Sequence, residues 1–181
     1  LYVKSHYSLL LGLSKPKDIV SRLQTLGLDG CALTDYTSVS GVVQFVEAMN
    51  EAKLKPIIGC EVLICKDDAE IHNETNKKTS SLCVLSKNLD GWKDLMELVS
   101  LSNHPQNFYV IPRLDNKKLY NIASRGNLIA YSGHLGSSVA NCLFDDNGQI
   151  NGVWRNCAYM AIKDLQNAFS VQNFYLATQL H

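Results

Sequence analysis

The stretch that decides the fold is Lys55-Pro56-Ile57-Ile58-Gly59-Cys60-Glu61-Val62-Leu63-Ile64-Cys65. Its aliphatic and β-branched run predicts a strand over 56–64. Alternation then puts Ile58, Cys60, Val62 and Ile64 on one wholly apolar face, suited to burial under helices. Ile57, Gly59, Glu61 and Leu63 share the other face. If that face lines an interior, Glu61 needs a metal, a cation or strong donors, because an unpaired buried carboxylate is costly. Gly59 would leave room beside it. The plainer alternative is that Glu61 sits at an exposed strand end.

Working outward, short apolar runs at 2–5, 30–34, 81–86, 127–132 and 173–179 predict further strands. Between the first two, Ile19, Val20, Leu23 and Leu26 share a helical face, with Ser14 as N-cap and Gly27 as stop. Residues 38–53 repeat the pattern with Val39, Val42, Val43, Val46 and Met49. Asp90 is placed to cap a third helix carrying Leu95, Leu98 and Val99, and further helices are expected at 116–123 and 153–169. The polar run 67–80 reads as a surface loop or hairpin, and its Asn73-Glu74-Thr75 sequon as chance. Strand–helix alternation predicts a parallel sheet with right-handed crossovers, open or closed into a barrel. No glycine-rich phosphate-binding motif follows any strand, which weighs against a nucleotide-binding version. One domain spanning 1–181 is expected.

Hydrophobic residues make up 46% of the chain and charged ones 19%, as in a globular protein rather than a disordered one. Seventeen Lys and Arg balance seventeen Asp and Glu, against a free-standing nucleic-acid binder, which carries a basic excess. The longest near-apolar stretch, 56–65, is ten residues, half of what a membrane span needs. No basic-then-apolar signal segment opens the chain, and no membrane is expected. The six cysteines, at 31, 60, 65, 83, 142 and 157, form no C-x-x-C pair. They predict buried free thiols in a reducing compartment rather than a zinc knuckle, and hence a cytoplasmic location. The doublets Asp67-Asp68 and Asp145-Asp146 read as turn or cap residues.

In either architecture, chemistry collects where strands end. Asp35 closes one expected strand, Glu61 lies in another, and His134 stands in Gly133-His134-Leu135-Gly136 after a third. Lys4, followed by His6, is the cation near the first strand. Each has a plainer role: Asp35 as a helix cap, His134 as a loop residue, Lys4 as a solvated edge. Together they make a polar cluster plausible without defining a reaction.

Several segments carry a family resemblance. Ser5-His6-Tyr7-Ser8-Leu9-Leu10-Leu11-Gly12-Leu13-Ser14 resembles the opening motif of the PHP (polymerase and histidinol phosphatase) domain. The likeness continues through Ala32-Leu33-Thr34-Asp35, Gly41, 55–62, 84–88, Gly91, 95–100, Pro112-Arg113 and 128–133 to Asn173-Phe174-Tyr175-Leu176. It covers essentially the whole chain in order. It implies an α/β fold, a distorted TIM-like (β/α) barrel of the PHP type, incomplete at the C-terminus. Active members hold several metal ions on His, Asp, Glu and sometimes Cys, generating hydroxide and clamping a phosphate ester.

Here that ligand pattern is broken. The family's opening H-x-H falls on Tyr2 and Lys4, an acidic position on Leu11, a His on Tyr36, and another His on Ser81. Asp35 and Glu61 survive, and His134 stands where the family often has Cys. His6 matches a position not used as a ligand, and the late D-x-H motif is absent. No metal or cofactor is therefore expected. Lys4 is expected to balance Asp35 or Glu61 in a metal's place, while Tyr2 and Tyr36 fill volume and donate hydroxyl hydrogen bonds.

The resemblance implies a degenerate, non-catalytic PHP domain of a replicative DNA polymerase III alpha subunit, a structural and partner-docking module. The expected partners are the remainder of the polymerase chain and the proofreading exonuclease subunit, with DNA bound only through the parent polymerase. The alternative is a metal-dependent phosphoesterase or 3′–5′ exonuclease using Asp35, Glu61 and His134 with Zn or Mn. A third is a free-standing scaffold that binds a replication partner.

Overall fold

The computed structural model describes residues 2–144 and 147–178. The Asp145-Asp146 doublet and the end of the expected last strand fall outside them.

A five-stranded sheet organises the chain: β1 (Gly30–Tyr36), β2 (Lys55–Cys65), β3 (Thr79–Ser86), β4 (Leu128–Tyr131) and β5 (Phe174–Tyr175), in that spatial order. Helices α1 (Pro16–Thr25), α2 (Val42–Glu51), α3 (Leu89–Asn103), α4 (Asn116–Ala123), α5 (Ser138–Asn141) and α6 (Trp154–Phe169) connect them.

The expected all-parallel sheet is corrected to a mixed one. β1 pairs parallel with β2 and β4 with β5, but β3 runs antiparallel to both neighbours. The reason is local: between β2 and β3 stands no crossover helix, only a single 3₁₀ turn at Thr75–Lys77, so the chain returns alongside itself. The sheet is open among the described residues and does not close into a barrel. The expected strand at 2–5 is reduced to one bridge, Val3 beside Leu33, with Thr34 N–H donating to the Val3 carbonyl at 2.8 Å. The last strand shrinks to two residues.

Helix ends also differ from expectation. Lys15, not Ser14, is the N-cap of α1, with Pro16 at N1 and the Asp18 carboxylate accepting from Lys15 N–H at 3.1 Å. Asn88 caps α3 through Gly91 N–H, leaving Asp90 in the first turn. The short α5 was not foreseen, because four residues offer no helical period to read.

The predicted parity of β2 holds. Cys60, Val62 and Ile64 join Leu82 and Val84 of β3 and Ala130 of β4 under α3, α4 and α6, around Leu98, Ile122 and Phe169. A second cluster packs α1 and α2 on Cys31 and Leu33 of β1, around the fully buried Phe45 and Met49. Both lie on one side of the sheet. Burying a Leu or Phe side chain is worth about 1.5–3 kcal/mol, so these clusters hold the layers together. The opposite face carries Ala32, Cys83, Leu85 and Tyr131, with Tyr2, Ile57 and Ile129 against them, and it presents Glu61.

The polar run after β2 is tied down from within. Arg113, fully buried, donates to the carbonyls of Asn76 (2.6 Å), Ala69 (2.8 Å), Ile71 (3.0 Å) and Asn107 (3.2 Å). Lys118 reaches Asp115 at 2.7 Å and Asp68 at 3.3 Å across the same loop.

The expectation of free cysteines is corrected in part. Cys142, buried after α5, forms a disulfide with Cys157 on the exposed side of α6. Packing of α5 on α6 brings the two together, a proximity that no spacing motif announces. Cys31, Cys60, Cys65 and Cys83 are free and buried.

Candidate functional site

Register decides which polar residues meet. Tyr36 of β1 pairs with Glu61 of β2, and Glu61 with Cys83 of β3. Asp35 pairs with Cys60 and therefore faces the opposite side of the sheet. The N-terminal segment alternates as a strand does. Val3 packs with the α1–α2 cluster, so Tyr2 and Lys4 project to the Glu61 side.

Glu61 is fully buried, not at an exposed strand end. Lys4 Nζ lies 2.5 Å from its Oε2, and the Tyr2 hydroxyl donates to the same oxygen at 2.8 Å. His134 Nε2 lies 2.8 Å from Oε1. Gly136 N–H donates to His134 Nδ1 at 3.0 Å. That bond assigns Nδ1 as acceptor in the neutral ring, so Nε2 carries the proton and donates to Oε1. A Cβ at Gly136 would meet His134 Cε1 at 3.0 Å, so a side chain there would crowd the ring. The Lys4 ammonium sits 4.8 Å from the Tyr36 ring centroid and 5.2 Å from that of Tyr2, between two π-faces. Ser81, in register with Leu63, is buried at the same face. Its Oγ is buried without a hydrogen-bond partner among the described residues.

The electrostatics follow from burial and pairing. Burial alone would raise the Glu61 pKa; hydrogen bonds from Lys4 and Tyr2 and the Lys4 charge outweigh it and hold the carboxyl below its ordinary 4.5. Burial, then the hydrogen bond to the Glu61 carboxylate, pushes the Tyr2 phenol up, and burial and the same charge do so for Tyr36. Burial pushes the Cys83 thiol up to about 12. The cluster is thus a neutral ion pair ringed by protonated phenols and a protonated thiol.

The sequence-predicted residues divide accordingly. Glu61, His134, Lys4, Tyr2, Tyr36 and Ser81 come together. Asp35 does not join them: its Oδ1 accepts from Ser5 N–H (2.7 Å) and the Ser8 hydroxyl (2.6 Å), and its Oδ2 from the Ser5 hydroxyl (2.7 Å). It holds the N-terminal turn, a role set by the β1–β2 register, which puts Asp35 and Glu61 on opposite faces. Leu11 is exposed on that turn. Gly59 leaves no room beside Glu61, since a Cβ there would meet Leu85 Cδ2 at 2.5 Å and the Val84 carbonyl at 2.6 Å.

An α/β sheet carrying Glu61 within β2 and His134 in the loop after β4, behind an N-terminal Y-x-K in place of H-x-H, fits the PHP resemblance, and the family model for the PHP domain matches residues 1–181. The chain belongs to the PHP domain family. It is similar to the DNA polymerase III subunit alpha of Helicobacter pylori strain J99, 34% identical over 185 residues, covering 100% of this chain and 15% of that one. The corresponding subunit of Treponema pallidum is 30% identical over 183 residues, with the same coverage. The chain therefore spans about 15% of the length of these curated relatives. A solved structure described as a metal-dependent phosphoesterase, from Bifidobacterium adolescentis, aligns with 88% of this chain and 73% of its own at 12% identity, with a TM-score of 0.48.

Proposed function

We propose that this chain is a non-catalytic PHP module of a replicative DNA polymerase III alpha subunit, an architectural part of the cytoplasmic replication machinery. The observation that carries this reading is the Lys4 ammonium 2.5 Å from buried Glu61, at a position where the family resemblance places a metal-ligating His. The same reading takes the open five-stranded sheet as the arc of a TIM-like barrel.

A metal cluster implied by the family does not suit these residues. Both Glu61 oxygens are engaged, one of them by a cation, and a divalent ion would have to displace the ammonium or sit against it. Both His134 nitrogens are engaged as well, and Asp35 serves the opposite face. Among the described residues no group of three or more His, Cys, Asp and Glu is arranged to hold a metal ion. The chemistry open to this cluster is structural: Lys4 neutralises Glu61, and His134 and Tyr2 complete its hydrogen bonds.

Metal content after equilibration with Mn2+ or Zn2+, paired with hydrolysis of a chromogenic phosphoester, tests the proposal. The expected result is substoichiometric metal and no turnover above buffer. Stoichiometric metal with turnover abolished by Glu61→Gln would establish the phosphoesterase or exonuclease instead.

A further inference from the structure

The turn that Asp35 holds carries three consecutive exposed leucines and a fourth two residues on. Leu9, Leu10, Leu11 and Leu13 are 81%, 95%, 55% and 95% exposed. They are not a floppy loop. Ser8 N–H donates to the Ser5 carbonyl, Leu11 and Gly12 N–H to the Ser8 carbonyl, and His6 N–H to the Ser14 carbonyl, each at 2.9 Å. Asp35 anchors the base through Ser5 and Ser8. Gly12 packs so closely on the Ser5 carbonyl that no side chain would fit. Leu10 at the tip has φ 65°, a left-handed conformation costing on the order of 1–3 kcal/mol for a residue with a Cβ. Strain, rigidity and wetted leucines coincide in five residues, and free monomers rarely expose contiguous apolar patches of this kind.

We propose that Leu9–Leu13 is a preset apolar knob that docks the module against the polymerase body of the same polypeptide, a proposal that rests on the reading above. A groove of about 530 Å³ lies beside the knob, lined by Leu9, Val39, Val99 and two tyrosines together with Thr37, three serines and Asn103, with no charged side chain in its lining. That uncharged, half-polar composition suits a protein segment and not a phosphate backbone, whose binding is driven by Lys and Arg. The length of the relatives selects the occupant: they match this chain end to end while it makes up 15% of them. Most of such a polypeptide is tethered nearby at high effective concentration. Tethering lets a contact of a few leucines suffice where two free proteins need about 1,000 Å². Preorganisation removes the entropy of ordering the loop on docking.

The experiment is hydrogen exchange on the complete polypeptide encoded by the gene, followed at the amides of Leu9, Leu10 and Leu13. In the complete protein these amides are expected to exchange at least about tenfold more slowly than in the same protein carrying Leu10→Ser with Leu13→Ser. Both substitutions fall on exposed side chains, and the core amides of β1 and β2 report that the variant is folded. Equal exchange in the two proteins overturns the proposal. Protection that grows with protein concentration assigns the knob to a second copy, and protection that appears only with DNA or anionic vesicles assigns it to those surfaces; either also overturns it. A complete polypeptide lacking polymerase sequence would instead refute the reading on which the proposal rests, whatever the exchange at the knob.

Discussion

Glu61 is ionised and out of water, so its neighbours control a large free energy. Replacing Lys4 by Met leaves a buried carboxylate without its cation, which costs about 3–5 kcal/mol. Urea unfolding at neutral pH should show a loss of that size for Lys4→Met. Adding Glu61→Gln to Lys4→Met should recover much of it, because the stranded charge is gone. A Lys4→Met loss below about 1 kcal/mol would mean that the pair is worth no more than an exposed one. The sign of the pH dependence follows from the lowered Glu61 pKa. A carboxyl whose folded pKa lies below its unfolded value stabilises the fold fully above the unfolded value and loses that contribution as pH falls through the folded one. The urea midpoint of the native chain should therefore drop more steeply below about pH 4.5 than that of Glu61→Gln. Asp115, held low by Lys118 despite its burial, falls in both proteins and cancels in the comparison.

At the level of elements, two ties can be cut independently. Asp35→Ala strands the Ser5 amide and the Ser5 and Ser8 hydroxyls in a buried setting, and should cost about 3 kcal/mol. Because Asp35 and Glu61 face opposite sides of the sheet, the His134 ring resonances should not move in the folded variant. A coupled shift would show that the two carboxylates share one site. Reduction of Cys142–Cys157 opens a loop of sequence separation 15, for which chain entropy gives about 3 kcal/mol. Denaturation with and without a thiol reductant measures it directly, and the Cys142→Ser variant should be insensitive to the reductant. These elements were unequally legible beforehand. α4 and the apolar face of β2 followed from periodicity, because the core they bury is long and regular. The antiparallel return of β3 turned on a missing helix between 66 and 78. The disulfide turned on α5, too short to leave a pattern.

For the whole molecule, charge is the informative quantity. Seventeen cations balance seventeen anions, and the best-formed cationic groups are spent internally: Lys4 on Glu61, Arg113 on carbonyls, and Arg125 on Asp94 and Glu97 at 2.7 and 2.6 Å. With anions matching cations in number, the chain carries no basic excess to grip a phosphate backbone. Fluorescence anisotropy with the chain alone should therefore show no saturable binding of single- or double-stranded DNA up to about 1 μM protein at physiological salt, the tight edge of the weak non-specific range. Affinity in the nanomolar range with a steep salt slope would contradict this. No described helix is long and apolar enough to cross a membrane.

What the sequence by itself determined is local in origin: which segments alternate, which follow a helical period, and that a carboxylate interrupts an otherwise apolar strand. These depend on neighbours a few residues apart. Only the tertiary structure decided that Glu61 meets Lys4 and His134, the latter 73 residues away, and that Asp35 turns its back on them. Those pairings depend on strand register and direction, where a shift of one residue moves every side chain to the other face.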